Sequence, residues 1–140
     1  MEVAKFAAAI RSSDGHGYLC IDDGLFTRSE VPVPWTIEVI DEPLRKVRLQ
    51  LPDGQYLRSD GNARTHPGLT REPDETTVWL LLYPSKDGGL PGDETPVEIK
   101  TPFDVTGMGP CLDTDLCDVR LYSWFPEGQR FWHLEGLQPL

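Results

Sequence analysis

This 140-residue chain contains a single asparagine, Asn62, and no apolar run near the roughly 18 residues that a membrane helix needs. Its start, Met1-Glu2-Val3-Ala4-Lys5, lacks the basic flank and apolar segment of a secretory signal. A cytosolic protein is the expectation, with secretion after removal of a leader as the alternative. Five like charges never occur in a row, so no charged tail is indicated. Three cysteines (Cys20, Cys111, Cys117) form an odd count without framework or zinc spacing. Reduced, mostly buried thiols follow, with a Cys111–Cys117 bridge as the other arrangement. The net charge of −10 repels phosphate backbones and argues against nucleic-acid binding.

Signatures of catalysis are missing too. There is no Gly-x-Ser-x-Gly elbow, and Ser and His follow no triad order. Gly88-Gly89-Leu90-Pro91-Gly92 is glycine-rich but lacks the Gly-Lys-Ser/Thr ending that cradles phosphate, so it reads as a loop. His16, His66 and His133 are far apart. His133, beside Trp132, reads as a packed or hydrogen-bonded residue. Asp113-Thr114-Asp115 opens like a calcium loop, but no Gly stands at position six and Trp124 occupies position twelve. The chain is therefore expected to be no enzyme and to hold no metal or cofactor.

What is present is punctuation and repetition. Thirteen Pro and thirteen Gly are spread along the chain, bounding short β-type runs at the spacing of sandwiches and barrels. Strands are expected at 5–11, 18–22, 25–29, 35–40, 46–51, 56–59, 69–72, 78–83, 97–101, 111–113, 119–124 and 131–137. Asp14-Gly15 and Asp53-Gly54 mark turns at the same place in consecutive units. Each unit opens on an apolar residue (Phe6, Leu49, Ile99) and closes on a tryptophan (Trp35, Trp79, Trp132), at intervals of 44 and 53 residues. The segment between Pro84 and Pro96 widens the second interval. Units of this size that cannot bury their own apolar face must share a core.

Three units of four strands, about 1–41, 42–84 and 85–140, form one all-β domain that resembles the β-trefoil, a six-stranded barrel capped by three hairpins. A β-sandwich is the competing architecture. The resemblance implies that Trp35, Trp79 and Trp132 lie in a shared core. Burying one such ring removes on the order of 200 Å² from water, worth several kcal/mol at about 25 cal/mol per Å².

Two functions follow from resemblance. Gly109-Pro110-Cys111-Leu112-Asp113, Val119 to Trp124, and Gly128-Gln129-Arg130-Phe131-Trp132 resemble a repeat of the ricin-B-type lectins. Carried over, Asp113 accepts sugar hydroxyls, Tyr122 stacks on the apolar sugar face with Trp124 beside it, and Gln129 is a polar anchor; the partner is a glycan. The sequence departs from that pattern: Gln129 stands three residues before Trp132 rather than two, Gly128 replaces the usual Asn, and Trp124 replaces a disulfide cysteine. In the alternative reading Asp113 caps a turn and both aromatics pack on the barrel. Size and Pro-rich loops also resemble the mycocypin and Kunitz-type protease inhibitors, whose partner is a protease. Their inhibitory loop is matched here by the 41–46 connection with Arg45, or by 60–68 with Asn62 or Arg64, each of which otherwise reads as a solvated loop.

Overall fold

A computed structural model describes residues 4–13, 17–22, 25–41, 45–59, 66–84, 89–102, 111–115, 118–122 and 131–140, with the backbone alone described at 21–29 and 111–122. The described residues are all-β, with no α-helix. The strands are β1 (Lys5–Ser12), β2 (Tyr18–Asp22), β3 (Leu25–Ser29), β4 (Pro34–Asp41), β5 (Lys46–Gln50) and β6 (Tyr56–Arg58). They continue as β7 (Gly68–Thr70), β8 (Trp79–Leu82), β9 (Val97–Lys100), β10 (Cys111–Asp115), β11 (Asp118–Tyr122) and β12 (Phe131–Pro139).

Six of them close a ring. β1 pairs with β4, β4 with β5, β5 with β8, β8 with β9, β9 with β12, and β12 returns to β1, every pair antiparallel. Closure leaves the ring without an exposed edge. The other six form three hairpins, β2–β3, β6–β7 and β10–β11, joined to β1, β5 and β9 through Arg11↔Tyr18, Gln50↔Tyr56 and Lys100↔Cys111.

The register repeats three times. Ala8, Val47 and Val97 lie opposite Trp35, Trp79 and Trp132. Two residues further on, Ile10, Leu49 and Ile99 are all fully buried, and two further again come Ser12, Leu51 and Thr101. This is the period of two expected when one face of each strand looks inward. The expected apolar opening of unit one, Phe6, is thus displaced: Ile10 is the counterpart of Leu49 and Ile99, while Phe6 only packs against the core margin. Five consecutive apolar residues, Phe6 to Ile10, hid that register from a reading by residue type.

All three closing tryptophans have no exposed surface. The Trp35 indole Nε1 donates to the Leu19 carbonyl at 3.1 Å, and that of Trp79 to the Leu57 carbonyl at 3.0 Å. Leu19 and Leu57 each lie one step inside the hairpin, directly after Tyr18 and Tyr56. The rings of Trp35 and Trp79 therefore fill the barrel and each tie a hairpin to it, with the indole N–H satisfied.

Turns follow local chemistry. Leu51 N donates to Gln55 O, just as Ser12 N donates to Gly17 O in unit one. Gly54 has φ of 95°, a conformation that L side chains rarely adopt. Residue type gives no sign of two register shifts, one between Val39 and Asp41 against β5 and the other between Ala7 and Ala9 against β12. There Gly136, at φ 70°, is the extra residue, and its N–H donates to Asp93 Oδ1 at 3.0 Å. A short 3-10 turn at Glu75–Thr77 precedes β8; Asp74 caps it through the Thr76 N–H, with Thr77 reciprocating.

Two outcomes test this core. Trp79→Ala removes a fully buried ring and orphans the Leu57 carbonyl, so chemical denaturation should register a loss of about 3–5 kcal/mol. Thr101 Oγ1 is buried without a hydrogen-bond partner among the described residues. Thr101→Val keeps the shape and removes that desolvated hydroxyl, so the unfolding midpoint should stay level or rise; a clear fall would show that the hydroxyl is satisfied.

Candidate functional site

The candidate residues fall on different parts of the barrel. In unit three, Asp113 lies on β10 and Tyr122 on β11. The ladder pairs Cys111 with Tyr122 and Asp113 with Arg120, so Asp113 and Tyr122 occupy positions of the same parity, one diagonal step apart. Trp124 and Gln129 lie outside the described residues, as do Asn62 and Arg64. Cys20 is a buried thiol; Cys117 lies outside the described residues.

Arg45 is described and exposed at the start of β5, and its carbonyl accepts from Leu81 N at 3.1 Å. Its charge reaches Tyr83, whose phenol burial pushes up and Arg45 draws back down. No ion pair is formed by Arg45 or Lys46 among the described residues.

Contacts between units carry polar chemistry that residue spacing did not reveal. Glu135 on β12 accepts from Tyr18 Oη at 2.7 Å and from Arg11 Nε at 2.9 Å. Glu38, at the matching place on β4, accepts from Arg48 Nη1 at 3.5 Å and from Tyr56 Oη at 3.4 Å. Glu38 and Glu135 both lie three residues after a closing tryptophan, and Tyr18 and Tyr56 both open a hairpin. The same two positions at the remaining junction hold Leu82 and Cys111. A threefold alignment of Trp+3 would have exposed this pattern in the sequence; pairing across units needed the ring to close.

Charge and burial shift these groups in consistent directions. The Glu135 hydrogen bond, then burial, raise the Tyr18 phenol above its ordinary 10.0. For Tyr56 burial leads and the charge of Glu38 adds. Asp53, bonded by the Gln55 N–H, and Asp74, bonded by Thr76, are held below the ordinary 3.8.

His133, expected as a packed or bonded residue, is buried in β12 with Nε2 2.8 Å from Ser13 Oγ. A shallow cavity of about 190 Å³ lies nearby, between Ala7, Ala9, Pro32, Pro34, Glu135 and Gln138. No helix among the described residues is long and apolar enough to cross a membrane.

A phenol held neutral by folding stabilises the fold fully below its unfolded pKa and loses that contribution as pH rises through the folded one. Unfolding midpoints should therefore fall as pH climbs past 10, and the triple variant Tyr18→Phe, Tyr56→Phe, Tyr83→Phe should flatten that limb. Depressed carboxyls act oppositely: the contribution of Asp53 and Asp74 is present above 3.8 and disappears as pH falls through their folded values. Asp53→Asn with Asp74→Asn should weaken the acid limb measured by thermal melts.

Against known proteins, no family profile, no curated protein and no solved structure matches this chain.

Proposed function

We propose that this chain is a non-catalytic β-trefoil binding protein whose third unit takes a carbohydrate in the manner of the ricin-B-type lectins. The threefold register of tryptophans and hairpins supports the trefoil reading. The observation that carries the glycan reading is the hairpin β10–β11, on which Asp113 and Tyr122 stand one diagonal step apart. A carboxylate pairs with vicinal hydroxyls, and an aromatic face covers the C–H side of the same ring. The resemblance adds Trp124 and Gln129 to the proposed site; both lie outside the described residues.

A second reading has its own observation. Arg45 is exposed on the connection between units one and two, with no carboxylate paired to it among the described residues. A cation presented this way fits the specificity pocket of a trypsin-like protease.

A glycan array with wild type and Asp113→Ala tests the first reading. Binding to a defined glycan set that the variant loses by about tenfold or more, roughly 1.4 kcal/mol, is the expected result. Equal signals from both proteins, or none from either, remove it. Trypsin inhibition lost in Arg45→Ala would instead establish the second reading.

A further inference from the structure

A one-residue bulge brings two hydrogen-bond acceptors onto one face of the outer wall. Glu135 and Gln138 are three residues apart, a spacing that sends side chains of a regular strand to opposite faces. The ladder nevertheless sets Glu135 opposite Ala9 and Gln138 opposite Ala7, positions of equal parity on β1, because Gly136 is the extra residue between them. Both side chains border the cavity of about 190 Å³ whose floor is Ala7 and Ala9 and whose other wall is Pro32 and Pro34. Gly136 keeps it open, since a Cβ there would meet nothing within 4 Å. At the matching positions unit two carries Lys46 and Arg48, and unit three carries Pro96 and Glu98. The two alanines are what make the space.

The charges at this seam favour a cation. Glu135 accepts one hydrogen bond on each oxygen, from Tyr18 Oη and Arg11 Nε, which fixes the carboxylate and leaves it further lone pairs. Asp93 lies at the bulge, where its Oδ1 accepts the Gly136 N–H. Glu94 Oε1 is 3.7 Å from Arg11 Nη2, with the Glu94 side chain 91% exposed. Three carboxylates thus share the guanidinium of Arg11 at this end. Toward the other end Lys5 lies opposite Glu38 in the ladder, and Glu38 also meets Arg48, one strand further away on β5. Glu30 stands exposed two residues before Pro32. The sign at the cavity is that of the whole chain, whose net charge is −10.

We propose that this cavity binds a small aliphatic amine, its hydrocarbon stem on the Ala7, Ala9, Pro32 and Pro34 walls and its ammonium on Glu135 and Gln138. An ammonium has three N–H donors and no acceptor; the Glu135 carboxylate and the Gln138 amide oxygen supply acceptors to match. The volume leaves room for about six non-hydrogen atoms, at the roughly 30 Å³ that a water takes in the liquid. A five-carbon primary amine fills that space, and the walls seat nothing larger, which favours a free amine over a lysine carried on a peptide backbone. An anion of the same length would meet Glu135 head on.

The test titrates n-pentylamine, a cation at neutral pH, into nitrogen-15-labelled protein and follows amide shifts by NMR. Shifts at Ala9 and Gly136 should saturate with a dissociation constant on the order of 1 mM. Pentan-1-ol, of equal length and no charge, should bind about tenfold more weakly, and pentanoate should not bind. Ala9→Leu fills the cavity and should weaken the amine by about tenfold or more; Arg48 and Glu98 at the matching positions show that the wall accepts a long side chain there. Asp93→Asn keeps an oxygen for the Gly136 N–H, removes one exposed charge, and should weaken binding by about threefold. It keeps the test decisive if circular dichroism shows that Ala9→Leu disturbs folding. Absence of saturation, equal affinity for pentan-1-ol, or unchanged affinity in folded Ala9→Leu or in Asp93→Asn would overturn the proposal. Tighter binding of Nα-acetyl-lysine methylamide than of n-pentylamine would overturn it too, giving the cavity to a partner's lysine. Asp113→Ala should bind the amine as the wild type does, which separates this site from the glycan reading.

Discussion

Closure of the barrel around three buried indoles is the constraint from which the remaining features follow. Each ring sits opposite a small or β-branched residue of the neighbouring strand, Ala8, Val47 or Val97. Bulk on one strand is matched by its lack on the other, as dense packing requires. For Trp35 and Trp79 the indole N–H also reaches a hairpin carbonyl. One side chain thereby positions both the wall and the cap of its unit. Hairpins of three to five residues per strand are marginal alone, and this tether is what makes them part of the domain.

With the interior occupied in the same way three times, variation is left to the outer wall and the junctions between units. Two junctions use a tyrosine, a glutamate and an arginine; the third substitutes Leu82 and Cys111. Replacing both members of a polar contact avoids leaving an orphaned buried group, so the barrel tolerates the change. The outcome is a surface with unequal faces on an almost threefold frame. Function on such a frame is a matter of what individual faces present to solvent.

The bulge at Gly136 illustrates how one strand departs from the pattern without disturbing the core. β12 carries an extra residue against β1, its N–H is taken by Asp93, and Trp132 and Leu134 remain fully buried. The alanines facing that bulge, Ala7 and Ala9, leave the shallow cavity where the corresponding positions of β5 carry Lys46 and Arg48.

The sequence alone determined the number of units, the strand content and the burial of Trp35, Trp79 and Trp132, because alternation, turn dipeptides and large aromatics act over a few residues. It misplaced the opening of unit one at Phe6, since a run of five apolar residues has no internal period to read. It named Arg45 as exposed on a connection, but not that Tyr83 and the Leu80–Leu82 strip lie beside it. Those residues are some 35 positions apart in the chain and meet only through pairing of β5 with β8. Likewise Tyr18 and Glu135 lie 117 positions apart and touch only because the last strand returns to the first. Local chemistry wrote the strands; ring closure, a property of all six at once, decided which side chains became neighbours.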